Sequence, residues 1–247
     1  GRLHLLQLPH HWDHSLLGSI KHIFWDLDHT LWDFETNSKE TLAELYQEFE
    51  LDKLAKQQDQ NFFVDRYLLH NDRAWSLYRE SRISKSRLRK IRFEAALSDI
   101  GIDDKSLAKR IGDWYMDVCP QKSALNPGAV AILDKLNGRF QQHILSNGFH
   151  ETQIMKLESS GIIKYFDHII TSETASSKKP KPRMYEHAMS KTGATLENSL
   201  MIGDNLDIDV KGAVDAGWLA IHYSPEKESS HKYRVQQLSE IEQLLSD

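Results

Sequence analysis

From Gly128 to the C terminus, short apolar runs of strand length alternate with amphipathic segments of helix length. The strand-like runs are "QQHILSNG", "FDHIITSE", "NSLMIGDN" and "WLAIHYS". "GAVAILDKLN" precedes them, "ETQIMKLESSGI", "PRMYEHAMSKTG" and "DIDVKGAVDAG" lie between them, and "VQQLSEIEQLLSD" closes the chain as an expected helix. Strands separated by helices require crossover connections. These are right-handed and build a parallel sheet covered by helices on both faces. One further strand stands far upstream: Ile20, Ile23, Phe24, Trp25 and Leu27 in "IKHIFWDLD" form a continuous apolar run, suited to burial on both sides of a sheet.

Between that strand and the alternating region the period changes. "SKETLAELYQEF" places Leu42, Leu45, Tyr46 and Phe49 on one stripe, with Asn37 or Ser38 as the expected N-cap. "FFVDRYLLHNDRAWSLYRES", "KSRLRKIRFEAALSDIG" and "KSLAKRIGDWYMDVC" continue at helical spacing, and "PQKSALNPGA" is a turn-rich return. The reading is an α/β fold, a doubly wound parallel sheet with an inserted all-helical domain. Residues 1–19 are an N-terminal extension, 20–36 and 122–247 the core, and 37–121 the insert.

In open parallel sheets, sites form at the carboxyl ends of the strands. Each chemically suggestive cluster falls there. Asp26 and Asp28 follow the first strand, Ser146-Asn147-Gly148 the second and Ser172-Glu173 the third. Gly203-Asp204-Asn205 with Asp207 and Asp209 follow the fourth, and "TASSKKPKPRMY" brings Lys178 and Lys179 to a helix start. Carboxylates crowded at one mouth repel unless a cation lies between them, and all-oxygen donors suit Mg2+. A hydroxyl, backbone N–H groups at a turn and an ammonium are donors for a phosphate. Together they point to phosphoryl transfer, in which an aspartate serves as nucleophile and a second acid moves the proton. Ser146 also reads as a helix N-cap. Neither a "GxSxG" elbow nor a Walker or dinucleotide glycine loop occurs.

These motifs resemble those of the haloacid dehalogenase superfamily. "DLDHTLWD" is similar to its first motif, "ILSNG" to the second, "KKPKP" to the third and "GDNLDID" to the fourth, in that order and over about residues 20 to 225. The resemblance implies a Rossmann-like core with a type I helical cap and Mg2+ as cofactor. It implies Asp26 as nucleophile and Asp28 as general acid and base, with the Asp28 backbone carbonyl also at the metal. Thr30 would tie down the loop, and Ser146 and the Asn147 backbone would hold the phosphoryl oxygens. Lys179 would neutralise Asp26 and the phosphate, Asp204 would ligate the metal, and Asp209 would support it. Lys178 and Asp207 are rivals that the matched spacing disfavours. An acid at Asp28 argues for phosphate esters over organohalides.

The insert resembles that of the nucleotide-phosphatase branch, which implies a nucleoside 5′-monophosphate substrate contacted by Asn71, Trp75 and Arg92. Asp33 reads as a loop-fixing acid just before the insert. Phosphosugar phosphatase or phosphomutase activity is the alternative within enzymes; a catalytically idle binding protein is the alternative outside them.

The remaining composition excludes other classes. A formal net charge of −5 disfavours a nucleic-acid or membrane-surface binder. The seven Lys and Arg residues from Arg79 to Arg92 read as a solvated helix face. No apolar run approaches the roughly 20 residues that span a bilayer. With Cys119 the one cysteine, no intrachain disulfide forms, and a cytoplasmic monomer or weak homodimer is expected. His10, His11 and His14 lack a carboxylate or cysteine framework for a metal.

Overall fold

The structure, a computed structural model, describes residues 17–56 and 59–245. The histidines at 10, 11 and 14 and most of the expected N-terminal extension lie outside the described residues. The chain forms two compact units. One is Phe34–Ala124; the other joins the chain up to Asp33 with Leu125–Asp247.

Strand β1 spans His22–Trp25 and is buried throughout. The helical unit follows it. Its helices are α1 (Phe34–Glu48), the one-turn α2 (Leu51–Leu54), α3 (Gln60–Arg79), α4 (Lys85–Asp99) and α5 (Lys105–Val118). Asp59, Ser84 and Asp104 cap α3, α4 and α5, each accepting from the backbone N–H three residues on. α1 starts at Phe34, ahead of the expected caps Asn37 and Ser38, because those side chains are committed elsewhere. The Asn37 amide donates to the Ala124 carbonyl at 2.9 Å and accepts from the Ala124 N–H at 3.2 Å. The Ser38 hydroxyl bonds that of Tyr115 at 2.8 Å. Leu42, Leu45, Phe63, Tyr67, Leu88, Phe93 and Ile111 fill the core of this unit.

The second unit continues with α6 (Ala129–Leu136), β2 (Gln141–Ser146), α7 (His150–Ser159), β3 (His168–Thr171), α8 (Ser172–Ala175) and α9 (Pro182–Thr192). Next come β4 (Ser199–Gly203), a wide π-helical turn over Leu206–Lys211, α10 (Gly212–Asp215), β5 (Leu219–Tyr223), β6 (Arg234–Val235) and α11 (Glu240–Leu245). All strand pairs are parallel, in the order β3-β2-β1-β4-β5-β6. This is the doubly wound order, with its reversal beside β1. The helix expected from Val235 onward is shorter: Val235 is buried as an edge strand paired with Tyr223, and helix begins only at Glu240.

Alternation along the strands sorts the two faces. Phe24, Leu145 and Met201 pack with Met184, Tyr185, Val210 and Trp218 on one face. On the other, the Trp25 indole N–H donates to Gln142 at 3.0 Å, and the Gln142 amide donates to the Leu133 carbonyl at 3.0 Å. A large aromatic can thus be buried with its polar edge satisfied. The effect is to seat β1 so that Asp26 and Asp28 emerge at its carboxyl end.

Candidate active site

Asp26 is the first residue past β1, and its N–H donates to the Ile202 carbonyl of β4 at 2.9 Å. The adjacent strand therefore fixes where its carboxylate starts. Asp26, Asp204 and Asp209 each turn one carboxylate oxygen into a common space in which these atoms lie within 4.8 Å of one another. Burial and the neighbouring Asp209 raise the Asp26 pKa well above the carboxylate range, although Lys179 works the other way. Burial and Asp209 also push Asp204 up to about 6. Three mutually repelling acids in one pocket are the donor set of a hard divalent cation, which would relieve that repulsion.

Lys179 is 1% exposed, and its ammonium donates to Asp26 at 3.0 Å and to Asp209 at 2.6 Å. Burial opposes its charge, but the two carboxylates outweigh burial and hold its pKa above the ordinary lysine value. Lys178 lies only half-buried and has its pKa lowered by burial and by Lys181. Of the two lysines, the structure brings Lys179 to the acids. The distal acids divide in the same way. Asp209 is 1% exposed, while Asp207 is exposed and pairs with Lys211 at 3.2 Å, a surface contact of little energetic weight.

Thr30 donates to Asp204 at 3.0 Å, joining the loop after β1 to the loop after β4. The preceding His29 has φ 66°, a conformation costly for a residue with a side chain. The Asn126 amide pins that turn by donating to the carbonyls of His29 at 2.7 Å and Thr30 at 2.9 Å. On the far side of Asp204, His222 Nε2 donates to its backbone carbonyl at 2.8 Å, and the Ser229 hydroxyl bonds His222 Nδ1.

Ser146 ends β2 and is buried. Its Oγ accepts from the Gly148 N–H at 3.0 Å and from Gln153 Nε2 at 2.7 Å. Two accepted bonds use both lone pairs, so the hydroxyl proton remains to be donated. Ser146 is not the N-cap of α7, a position that Phe149 occupies. The Asn147 side chain holds the lysine loop at both ends of one residue, accepting from the Lys179 N–H at 2.7 Å and donating to the Lys179 carbonyl at 3.0 Å. The Lys179–Pro180 peptide is cis.

Asp28 stands apart from the three-acid cluster. Lys156 donates to its Oδ1 at 2.8 Å and Gln153 to its Oδ2 at 3.0 Å. Burial alone would raise its pKa, but the Lys156 ammonium and the two hydrogen bonds bring it below the usual carboxylate value. Gln153 and Lys156 lie outside the motif segments. Their one signal in the sequence is that they are polar residues three apart on the amphipathic helix after "ILSNG".

The residues proposed to face substrate from the helical unit are placed as follows. Asn71 and Arg92 are buried and bonded to each other, Arg92 Nη1 donating to Asn71 at 2.9 Å. The guanidinium also lies 5.5 to 5.8 Å from the ring centroids of Tyr67, Phe93 and Tyr115. Trp75 is half-buried and meets Tyr78 edge to face. Asp33 is half-buried and ends the first segment of the core unit.

Fold and site define a doubly wound α/β protein whose strand ends assemble three acids, a buried lysine and a hydroxyl donor. The family model described as haloacid dehalogenase-like hydrolase matches residues 20–217, and the chain belongs to that family; it is an enzyme, a hydrolase. It is 28% identical over 229 residues to pyrimidine 5′-nucleotidase YjjG of Escherichia coli strain K12, covering 90% of this chain and 96% of that protein. It is 32% identical over 215 residues to pyrimidine 5′-nucleotidase PynA of Streptococcus pneumoniae, covering 85% and 86%. The magnesium-bound structure of YfnB from Bacillus subtilis superposes with a TM-score of 0.82 at 23% identity, covering 92% of this chain and 98% of that one.

Proposed function

We propose that this chain is a Mg2+-dependent phosphomonoesterase that works through an aspartyl-phosphate on Asp26, with nucleoside 5′-monophosphates as its substrates. The observation that carries the reading is Lys179, buried and bonded at once to Asp26 and Asp209 beside a serine hydroxyl free to donate. The nucleotide preference is supported by the two pyrimidine 5′-nucleotidases that resemble this chain over most of its length. The single cysteine, Cys119, is a buried thiol, which suits a cytoplasmic setting.

Asp26, Asp204 and the Asp28 backbone carbonyl would hold the Mg2+, with Asp209 supporting from behind. When bound, the ion neutralises the acids and the phosphoryl charge. An Asp26 oxygen attacks phosphorus while Lys179, Ser146 and the Asn147 N–H hold the phosphoryl oxygens. The P–O bond to the leaving group breaks, and the departing oxygen keeps the electron pair and takes a proton from Asp28, which the negative phosphoryl group beside it would keep protonated against the pull of Lys156. Water then attacks the aspartyl-phosphate and gives its proton to Asp28. The P–O bond to Asp26 breaks, releasing phosphate and restoring the carboxylate.

The test is a panel of nucleotides, sugar phosphates and aryl phosphates assayed with and without Mg2+, on the native protein and on Asp26→Asn. Phosphate release from nucleotides, with a fall of at least about 10³-fold in the variant, is expected. Substantial Mg2+-dependent turnover by Asp26→Asn overturns the mechanism. Turnover of sugar phosphates in preference to nucleotides overturns the substrate.

A further inference from the structure

We infer that Lys156 and Gln153, three residues apart on one face of α7, are positioning residues that fix the proton-transferring acid Asp28 and the phosphate donor Ser146 as one unit. The inference deepens the phosphoryl-transfer reading above and rests on it. Each oxygen of the Asp28 carboxylate has its own donor from the same helix: Lys156 Nζ at 2.8 Å on Oδ1 and Gln153 Nε2 at 3.0 Å on Oδ2. Two donors on two oxygens fix the carboxylate plane as well as its distance, and each oxygen keeps a second lone pair for the proton it exchanges. The same Gln153 nitrogen donates to Ser146 at 2.7 Å, so one amide sets the acid's direction and commits the serine hydroxyl to donating.

The surroundings are shaped for these two side chains. Lys156 is 7% exposed, and its ammonium lies 4.5 Å from the centroid of the fully buried Trp32 ring. A lysine so enclosed differs from a solvent-screened surface partner, since burying its charge is tolerable only against a well-placed carboxylate. Gln153 is 1% exposed, and its Oε1 is buried without a partner among the described residues, which marks the amide as held for its N–H groups. Gly148 makes the space: a Cβ there would lie 2.4 Å from Gln153 Cδ. The base of α7 is itself anchored, with the His150 N–H donating to Glu173 at 2.8 Å.

A residue that aims the acid matters in proportion to how much the leaving group needs a proton. Lys156→Met and Lys156→Arg are compared with the native protein on p-nitrophenyl phosphate, whose leaving group departs without one, and on alkyl phosphates, whose leaving group does not. For Lys156→Met, kcat/KM on alkyl phosphates is expected to fall about 10- to 100-fold, while p-nitrophenyl phosphate is nearly unaffected. Lys156→Arg restores much of the loss, and adding Lys156→Met to Asp28→Asn costs nothing further on alkyl esters. Gln153→Met, which releases both Ser146 and Asp28, is expected to lower kcat/KM on both ester classes but more on alkyl phosphates, and gives a second reading should Lys156→Met reduce the yield of folded protein. Equal losses on both ester classes, or no loss on either, overturn the inference when Asp26→Asn is inactive. An active Asp26→Asn instead removes the reading on which it rests.

Discussion

Gly203 has no room for a side chain. A Cβ at that position would lie 2.3 Å from Asp209 Oδ2 and 2.5 Å from its Cγ, far inside van der Waals contact. Asp209 cannot yield easily, because it also accepts from Lys179 at 2.6 Å and from the Asn205 N–H at 3.1 Å. Gly203→Ala is therefore expected to displace Asp209 from the acid cluster and weaken the proposed metal site. The check is a Mg2+ titration of activity, where the half-saturating concentration should rise about 10-fold or more, the scale on which groups supporting a metal's ligands act. An unchanged titration curve would exclude a supporting role for Asp209. Asp26, Ser146 and Asp204 were legible in the sequence because polar groups at strand ends stand out against apolar runs, whereas Lys179 and Asp209 were separated from Lys178 and Asp207 only by the motif spacing of the family resemblance. Gln153 and Lys156 were not legible, since their partner Asp28 lies 125 and 128 residues away and nothing local distinguishes them from a solvated helix face.

Elements hold these residues in place through their ends. In the helical unit, Asp104 accepts the Leu107 N–H at 2.9 Å, satisfying one of the donors that every helix start leaves open. Asp104→Ala is expected to cost about 1 kcal/mol, or about 2–4 °C in Tm for a chain of this size, without changing kcat. Thermal unfolding paired with a steady-state assay checks both halves, and a loss of kcat at unchanged Tm would contradict the assignment of Asp104 to capping alone. Periodicity made most helices and strands visible, because a buried stripe and a buried run have different repeats. It failed where side chains serve distant partners. Asn37 resembles a cap by type, yet its amide is spent on Ala124, so α1 begins a turn earlier. Val235 fits a helical stripe equally well, but the unpaired edge of β5 claims it. Both outcomes depend on tertiary hydrogen bonds that no local window contains.

At the scale of the molecule, alternation and apolar runs made the parallel sheet legible, whereas the packing between strands was not. Three histidines lie side by side across β1, β2 and β3. His22 Nδ1 bonds His143 Nε2 at 3.0 Å, and His143 Nδ1 meets His168 Nδ1 at 3.3 Å. A neutral imidazole donates from one nitrogen and accepts at the other, so a neutral His143 can serve both neighbours. It is fully buried against Phe24, with ring centroids 4.8 Å apart. Burial, then His22 and His168, lower its pKa from 6.5 to about 3. The unfolded chain therefore binds this proton more tightly than the folded one. The stability contributed by a neutral His143 is complete above pH 6.5 and is lost as pH falls toward 3. Each pH unit in that window costs roughly 1.4 kcal/mol, so about 2 kcal/mol is lost by pH 5. Asp204, pushed up to about 6, acts in the opposite sense by taking up a proton in the folded state. Comparison with His143→Gln cancels that contribution, since both proteins share it. The Tm of the native protein should fall more steeply between pH 7 and pH 5 than that of His143→Gln, by about 4–8 °C over the interval. Parallel Tm curves would show that the imidazole row does not set the acid limit of the sheet.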